Sequence, residues 1–310
     1  MKKISNYFIV IIIIGTILFF WGGPGSHANR SINYIWNFGH IIFYCILSTF
    51  LLLNWNKLRL KSYYYQVLWI VLITFFLGLI VEVIQAGVHR TPDIEDLLRN
   101  FMGSFIALFF FAPKKKEIGF NKLCLLKFIL LLLIIFQILP AINFLRDEWS
   151  ANIEFPLLSG FESNLELTRW TGDADFILSK EIKSTGSSSL KIFLNTSKYS
   201  GVSLKNFPKD WGAYNALSFK IYNPQNTFLK ITCRIHDKQH AEREQIYTDR
   251  FNKTFTLFEG WNTIEVYLKD VRDAPLKRKM NMNDIYGFGI FVISQKEKII
   301  IYLDDLLLKK

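Results

Sequence analysis

Long apolar runs fill the first part of the chain: Ile4–Phe20, Ile35–Leu53, about Tyr65–Ile84 and Leu123–Leu139, with another reaching Ala112 after a polar loop. Crossing the hydrocarbon core of a bilayer takes about 20 apolar residues in a helix. Only helices and closed barrels satisfy their own backbone there. Runs this dense predict an all-α transmembrane bundle of about five spans. Met1-Lys2-Lys3 before the first run and Ser26-His27-Ala28 after it also suit a signal peptide. The length of the run and Trp21 at its end favour an uncleaved span. The fifth span is expected to end at Pro140, with Ala141–Leu158 as a linker.

The charges give this bundle an orientation. Lys2/Lys3, Lys57/Arg59/Lys61 and Lys114–Lys116 with Lys122 fall on alternate loops. The excess of Lys and Arg on cytoplasmic loops therefore predicts a protein of the cytoplasmic membrane with its N-terminus inside. His89–Asp96 and everything after Pro140 are expected on the extracytoplasmic side. The net charge of +11 is concentrated in residues 1–149, where 14 basic residues face 7 acidic ones. Topology accounts for that excess. No nucleic-acid motif accompanies it, so no nucleic-acid partner is expected. Cys45, Cys124 and Cys233 offer neither a metal spacing nor a disulfide within one domain.

Between two apolar runs lies Gly78–Gly103, GLIVEVIQAGVHRTPDIEDLLRNFMG. Ionisable groups at membrane depth need partners, water or a function. Glu82 and Gln85 are three apart at the end of one predicted helix. Asp93, Asp96 and Asn100 share a face at the start of the next. Asp93 after Thr91-Pro92 equally suits a plain helix start. The order Glu82-x-x-Gln85, Arg90-x-x-Asp93-x-x-Asp96-x-x-x-Asn100, then Gly103, resembles the VanZ-like family of membrane proteins. His40 followed by Tyr44 on an earlier run fits the same family. The resemblance covers about residues 1–112 and implies a four-span domain. The family's name comes from glycopeptide-antibiotic resistance. Residues 113–157 then hold the fifth span and the linker.

From Gly160 the pattern changes to period two, as half-buried strands require. SLKIFL at Ser189–Leu194, ALSFKIY at Ala216–Tyr222, FLKITCRI at Phe228–Ile235, Thr254–Phe258, NTIEVYL at Asn262–Leu268, GFGIFVI at Gly287–Ile293 and Ile299–Leu308 read as strands between turn signals. Many short strands at this spacing predict an all-β antiparallel sandwich over residues 158–310. Gly160-Phe161-Glu162, Gly186-Ser187-Ser188-Ser189, Gly260-Trp261-Asn262 and Tyr302-Leu303-Asp304-Asp305 resemble the jelly-roll carbohydrate-binding modules, the galactose-binding-like sandwiches. That resemblance implies a structural calcium at Glu162 and Asp304, the positions matching the acidic ligands of many relatives.

The expected organisation is thus a VanZ-like bundle carrying an exported, glycan-binding-like jelly roll, with membrane lipid and an envelope glycan as partners. A role in cell-wall maintenance or glycopeptide tolerance follows from the resemblance. Trp211, Tyr214, Arg234 and His236 are the candidate sugar contacts. Arg234 and His236 share a strand face because they lie two apart. The alternative is a membrane enzyme acting on a lipid-linked or cell-wall precursor. Its site would be the polar cluster of His40, Glu82, Gln85, Arg90, Asp93, Asp96 and Asn100, with Glu82, Asp93 or Asp96 as base and Arg90 on a phosphate. No carboxylate pair of glycosidase type stands out in the second half.

Overall fold

The computed structural model describes residues 2–20, 24, 28–87 and 93–310, with side chains for 6–18, 24, 28–84 and 93–310. Two compact units divide the chain, Met1–Asn143 and Phe144–Lys310.

The first unit is helical: α1 (Lys2–Phe20), α2 (Arg30–Asn54), the single turn α3 (Asn56–Arg59), α4 (Tyr63–Gly87), α5 (Ile94–Ile106) and the first part of α6 (Phe120–Glu154). Local chemistry sets the helix ends. Asp93 has an extended backbone and its carboxylate accepts the Glu95 N–H at 2.9 Å, an N-cap that starts α5. The Glu117 carboxylate takes the Tyr63 N–H at 2.7 Å, serving the start of α4 from a distant segment. Gln66 donates to the Leu58, Arg59 and Lys61 carbonyls and so fixes the turn before that helix.

α2 lies against α5, and Gly103 sets their approach. A Cβ at Gly103 would stand 2.2 Å from the Ile41 carbonyl oxygen and 2.9 Å from the Cys45 nitrogen. Small residues at helix crossings allow this backbone contact in membrane bundles. At the next residue, the Ser104 hydroxyl bridges Ser48 at 2.9 Å and Thr74 at 2.7 Å, joining α2, α4 and α5 through one polar node. α5 then runs into a π-turn over Ala107–Phe111, and Phe101 and Phe105 of the helix stack in series with Phe109 of the turn.

Among the described residues, three helices are long and apolar enough to cross a membrane: Arg30–Asn54, Tyr63–Ile84 and Phe120–Glu154. Only 11% of the most apolar stretch of the last is buried by protein: Leu130 is buried, while Leu125, Phe128, Leu131, Leu132 and Phe136 are exposed. The five expected spans thus include two of another kind. The apolar part of α1 with described side chains is the shorter Asn6–Leu18. α5 is 13 residues long and opens with Glu95, Asp96 and Arg99.

The expected stop at Pro140 is corrected. Proline lacks one helical N–H, yet α6 continues through it to Glu154. The predicted linker is therefore largely helix. Phe144, Asp147 and Ala151 recur at helical spacing as its covered side, and a buried stripe of that kind outweighs one lost hydrogen bond.

The second unit is a β-sandwich of two antiparallel sheets. In chain order it contains β1 (Leu157–Ser159), α7 (Asn164–Leu167), β2 (Trp170–Gly172), β3 (Asp175–Ser179), β4 (Ser189–Leu194), β5 (Tyr199–Leu204), β6 (Ala216–Asn223), β7 (Leu229–Asp237), α8 (Lys238–Ala241), β8 (Phe251–Leu257), β9 (Gly260–Tyr267), α9 (Leu268–Asp273), β10 (Ile285–Ile293) and β11 (Ile299–Lys309). One sheet has the order β3-β4-β11-β6-β9, with β1 also on β11. The other has the order β2-β5-β10-β7-β8. Alternate residues fill the space between them. Ile231, Cys233 and Ile235 from β7, Phe288, Ile290 and Val292 from β10, and Leu217, Phe219 and Ile221 from β6 are essentially inaccessible.

Two buried polar devices hold the start of this unit. The Glu166 carboxylate accepts the N–H groups of Gly160, Phe161, Glu162 and Ser163 at 2.9–3.3 Å and the Ser159 hydroxyl at 2.9 Å. Arg169 forms a bidentate pair with Asp147 at 2.8–3.0 Å and also donates to the Asp147 and Leu158 carbonyls. Both side chains of that pair are almost wholly buried.

Candidate functional site

In the first unit the structure gathers His40, Asp96 and Asn100. The face predicted for α5 points at α2, so the His40 Nδ1 lies 2.9 Å from the Asn100 Oδ1 and its Nε2 3.4 Å from the Asp96 Oδ2. Asp93 and Glu82 join them less directly. The Glu82 carboxylate accepts the Asp93 N–H at 3.1 Å. The Gln85 side chain and Arg90 lie outside the described residues. Gly78 makes room for the cluster, since a Cβ there would sit 3.0 Å from the Asn100 Nδ2.

The centre of the group is Arg99, an ionisable residue of the same stretch that the expected cluster leaves out. Its guanidinium is 1% exposed, 2.6 Å from the Asp96 carboxylate, 2.5 Å from Glu95, 3.7 Å from Asp93, and over the Tyr34 ring at 5.6 Å. The signal was present. Arg99 lies three residues after Asp96 and four after Glu95, the spacings at which helical ion pairs form. The arrangement is a clasp: a buried arginine neutralised by carboxylates on its own helix, with His40 of α2 closing the other side of Asp96. Beside it an apolar cleft of about 280 Å³ opens between α1 and α2, lined by Ile11, Gly15, Trp36, His40 and Phe43 among others.

In the second unit, β-strand alternation turns one set of residues outward across the β2-β5-β10-β7-β8 sheet. Registered across it are Ser203, Gly289, Arg234 and Asn252 in one row, Gly201, Phe291, Thr232 and Thr254 in the next, and Gly287 beside His236. Gly201 and Gly289 keep the floor low. A Cβ on Gly289 would meet the Ser203 hydroxyl at 2.8 Å, and one on Gly201 the Ile290 carbonyl at 2.1 Å. Above them lies a cleft of about 350 Å³ whose walls include Tyr199, Phe291, Arg234, Arg250, Ser203 and Asp173. Tyr199 is exposed and meets Phe291 edge-on at 5.9 Å. A second cleft of about 390 Å³ continues along the same face past Thr232, Thr254, Lys230 and Ile293.

Arg234 and His236 are thus on one face, as their spacing implied. Burial and the neighbouring Arg250 hold the Arg234 guanidinium below its usual value. Burial, with Arg234 and His240 nearby, pushes His236 down to about 3. Trp211 is corrected as a sugar platform. It is fully buried, packs on Phe207 and donates its indole N–H to the Pro208 carbonyl at 3.1 Å. Tyr214 is half-buried against the core, edge-on to Phe155 at 5.3 Å. The exposed aromatic of the cleft is instead Tyr199, which sits in a Ser- and Gly-rich strand.

Below His236 a separate network fixes the loops. Arg278 pairs with Asp237 at 2.5–2.8 Å and with Asp249 at 2.7–2.8 Å, and Asp237 also caps α8 through the His240 N–H. Hydrogen bonds from Arg278 hold Asp249 low.

Glu162 and Asp304 each face the loop 183–188. Glu162 accepts the Ser187 N–H at 2.9 and 3.0 Å and the Ser187 hydroxyl, and a Cβ at Gly186, whose φ is +60°, would run into it. Asp304 accepts the Ser184 N–H at 2.7 Å, the Thr185 N–H at 3.3 Å and the Asp305 N–H at 2.9 Å. Donors pointing at both carboxylates suit loop anchoring. A calcium site needs several converging oxygens, and among the described residues no three His, Cys, Asp or Glu side chains gather for one. These residues do not fit a calcium ion.

Residues 4–115 match the VanZ/LLP1 family model, so this segment is a VanZ-like domain. Together with the three helices of membrane length, it marks the chain as a membrane protein. A search of curated proteins returned no match. Among solved structures the chain is similar to a family 11 carbohydrate-binding module from Clostridium thermocellum in complex with a β-1,3-1,4-mixed-linked tetrasaccharide. The identity is 15% and the TM-score 0.39, over 49% of this chain and 94% of that one. It is also similar to an exo-β-agarase, at 14% identity and a TM-score of 0.39 over 49% of this chain and 24% of that one. A family 22 module of Clostridium thermocellum Xyn10B gives 15% identity and a TM-score of 0.33 over 49% and 91%.

Proposed function

We propose that the protein is an envelope component whose VanZ-like bundle anchors, in the cytoplasmic membrane, an extracytoplasmic sandwich that binds a glycan. The observation carrying this reading is the open cleft on the β2-β5-β10-β7-β8 sheet, with its glycine floor and exposed Tyr199. Sugar rings stack on an accessible aromatic face while polar groups at the edge read their hydroxyls. The positive-inside pattern supports the orientation, which would bring the sandwich to envelope material. A contribution to cell-wall maintenance or glycopeptide tolerance belongs to this reading. The test is binding of the full-length protein in nanodiscs to an array of envelope oligosaccharides. Tyr199→Ala is expected to weaken the signal about tenfold or more, the usual scale for a stacked aromatic anchor. A folded protein that retains no oligosaccharide ends the proposal.

A second reading, a membrane enzyme on a lipid-linked precursor, draws support from the apolar cleft between α1 and α2. His40 lines that cleft and also contacts Asp96, so an acyl chain there would lie beside an ionisable pair. Replacing His40 with Gln tests it: turnover of added lipid-linked precursor should vanish while the helices stay folded.

A further inference from the structure

The outer sheet face of the sandwich differs from the buried arginine sites at Arg169 and Arg278 in one respect. Its arginines have no counter-ions. Arg169 is matched by Asp147 and Arg278 by Asp237 and Asp249. Arg234 and Arg250 line the same cleft, are both half-buried, and form no ion pair among the described residues. The Nε of each is buried without a hydrogen-bond partner among the described residues, as are the His236 Nδ1 and the Asn252 Oδ1 beside them. Among the described residues the Arg234 head makes one hydrogen bond, a donation to the Ser203 hydroxyl at 3.2 Å, and the Arg250 head stands over the Tyr247 ring at 5.5 Å. Asp173, the single carboxylate in the lining, is exposed at the rim.

A desolvated guanidinium without a counter-ion is costly, and two close together repel. The fold keeps both, and it keeps the space above them open with glycines at 201 and 289. The opposite side of the same cleft is aromatic, with Tyr199 and Phe291. Resting on the glycan-binding reading above, we propose that the ligand is an acidic sugar, a hexuronate unit of a polysaccharide. Its ring lies against Tyr199 and its carboxylate takes the Arg234 and Arg250 forks. A planar carboxylate matches a guanidinium bidentately, and a single negative charge is compatible with Asp173 at the rim. From Lys230 to His236 the face runs about 20 Å along β7, at about 3.3 Å per residue. That accommodates several sugar units and adds Lys230 as a further cation.

The experiment uses the full-length protein in zwitterionic nanodiscs. Its titrants are a hexuronate tetrasaccharide, the matching neutral hexose tetrasaccharide and inorganic phosphate, each at low and high salt. The expected result is that the uronate binds, the neutral sugar binds at least about tenfold more weakly, and raised salt weakens the uronate alone. Arg234→Gln and Arg250→Gln each lose about tenfold or more in uronate affinity, with thermal melts showing the fold intact. Arg234→Lys, which keeps the charge and loses the fork, recovers only part of it. Equal binding of the neutral sugar, unaffected by either arginine substitution, overturns the acidic ligand and leaves the glycan-binding reading standing. Phosphate matching the uronate in affinity overturns the sugar and leaves a bare oxyanion site. Binding of no sugar at all by a folded protein removes both the inference and the reading it rests on.

Discussion

Arginines are used in opposite ways in the two units. Arg99 is surrounded by carboxylates placed one turn away on its own helix and is covered by Tyr34. Arg234 and Arg250 sit on a sheet face with open volume above them and no acid within ion-pair distance among the described residues. A buried charge whose partners are internal is committed to structure. A half-buried charge whose partners are missing is held for something that arrives. Removing the first kind should cost stability, and removing the second should cost binding while stability holds or rises.

The sharpest break of this contrast is Arg99→Met. It strands the Asp96 carboxylate, which is 3% exposed, without its cation. The expected loss is about 3–5 kcal/mol, the scale for breaking one side of a buried pair, read as unfolding of the helical unit in mixed detergent. Replacing Asp96 with Asn in the same chain should recover part of it. If Arg99→Met unfolds no more easily than the parent, the clasp is not structural. Next in size is Gly103→Leu, where the side chain collides with the backbone of α2 rather than with a flexible neighbour. Overpacking of that kind is expected to cost about 3 kcal/mol or more in the same assay, with Gly103→Ala intermediate.

These two positions also mark how far the sequence could be read. The motif predicted that Asp96 and Asn100 share a face and that a small residue follows them, and α5 bears this geometry. Helical periodicity is local, so it is visible in the string. Which helix lies opposite is not local, and neither Ser104's bridge to Ser48 and Thr74 nor Arg99's central place could be fixed by counting along one helix. In the sandwich, the strongly alternating strands β4, β6, β7, β9, β10 and β11 were legible within a few residues. β5 was missed because Tyr-Ser-Gly-Val-Ser-Leu carries little apolar alternation. The glycine that weakens that signal is what lowers the cleft floor, so the feature that hides the strand also makes the site. Trp211 failed for a related reason: a tryptophan between turn residues reads as exposed until Phe207 and the core are folded around it. Pro140 failed because a local helix breaker was outweighed by the stripe of Phe144, Asp147 and Ala151.

A smaller effect separates the two kinds of charge by pH. His236 is kept neutral by burial and by Arg234, His240 and Arg250, against the weaker pull of Asp237, and its pKa falls to about 3. Its folded value lies below its unfolded value of about 6.5. Stability is therefore complete above that unfolded value, and is lost as pH falls from about 6.5 toward about 3, where the unfolded state takes the proton first. Between about pH 7 and pH 5 the sandwich should lose about 1–2 kcal/mol, measured as a falling melting temperature. Asp237 and Asp249 are held low and titrate below that window. His240, also lowered by burial, adds to the same fall, so His236→Gln should flatten the profile in part, and an unchanged slope would place the acid sensitivity elsewhere.

Arg234→Met comes next and has the opposite sign to Arg99→Met. Removing a desolvated cation beside Arg250 should leave the melting temperature unchanged or raise stability by up to about 1 kcal/mol, even as acidic-sugar binding fails. A loss of several kcal/mol there would show that Arg234 is a structural residue like Arg99.

The smallest effect is expected at the corner formed by Glu162 and Asp304. Their carboxylates are engaged by the Ser184, Thr185, Ser187 and Asp305 N–H groups and by the Ser187 hydroxyl. Backbone donors already supply the positive ends that a cation would bring, and a calcium ion at that spot would face hydrogens. Adding EDTA or millimolar calcium should accordingly leave the melting temperature of the sandwich where it was, by the same linkage that would raise it if the folded state bound the ion. Glu162→Gln should lower it, because an amide accepts those N–H groups more weakly than a carboxylate. A clear calcium-dependent rise, abolished by Glu162→Gln, would mean that the loop 183–188 rearranges to turn carbonyls inward, and the corner would then be a metal site.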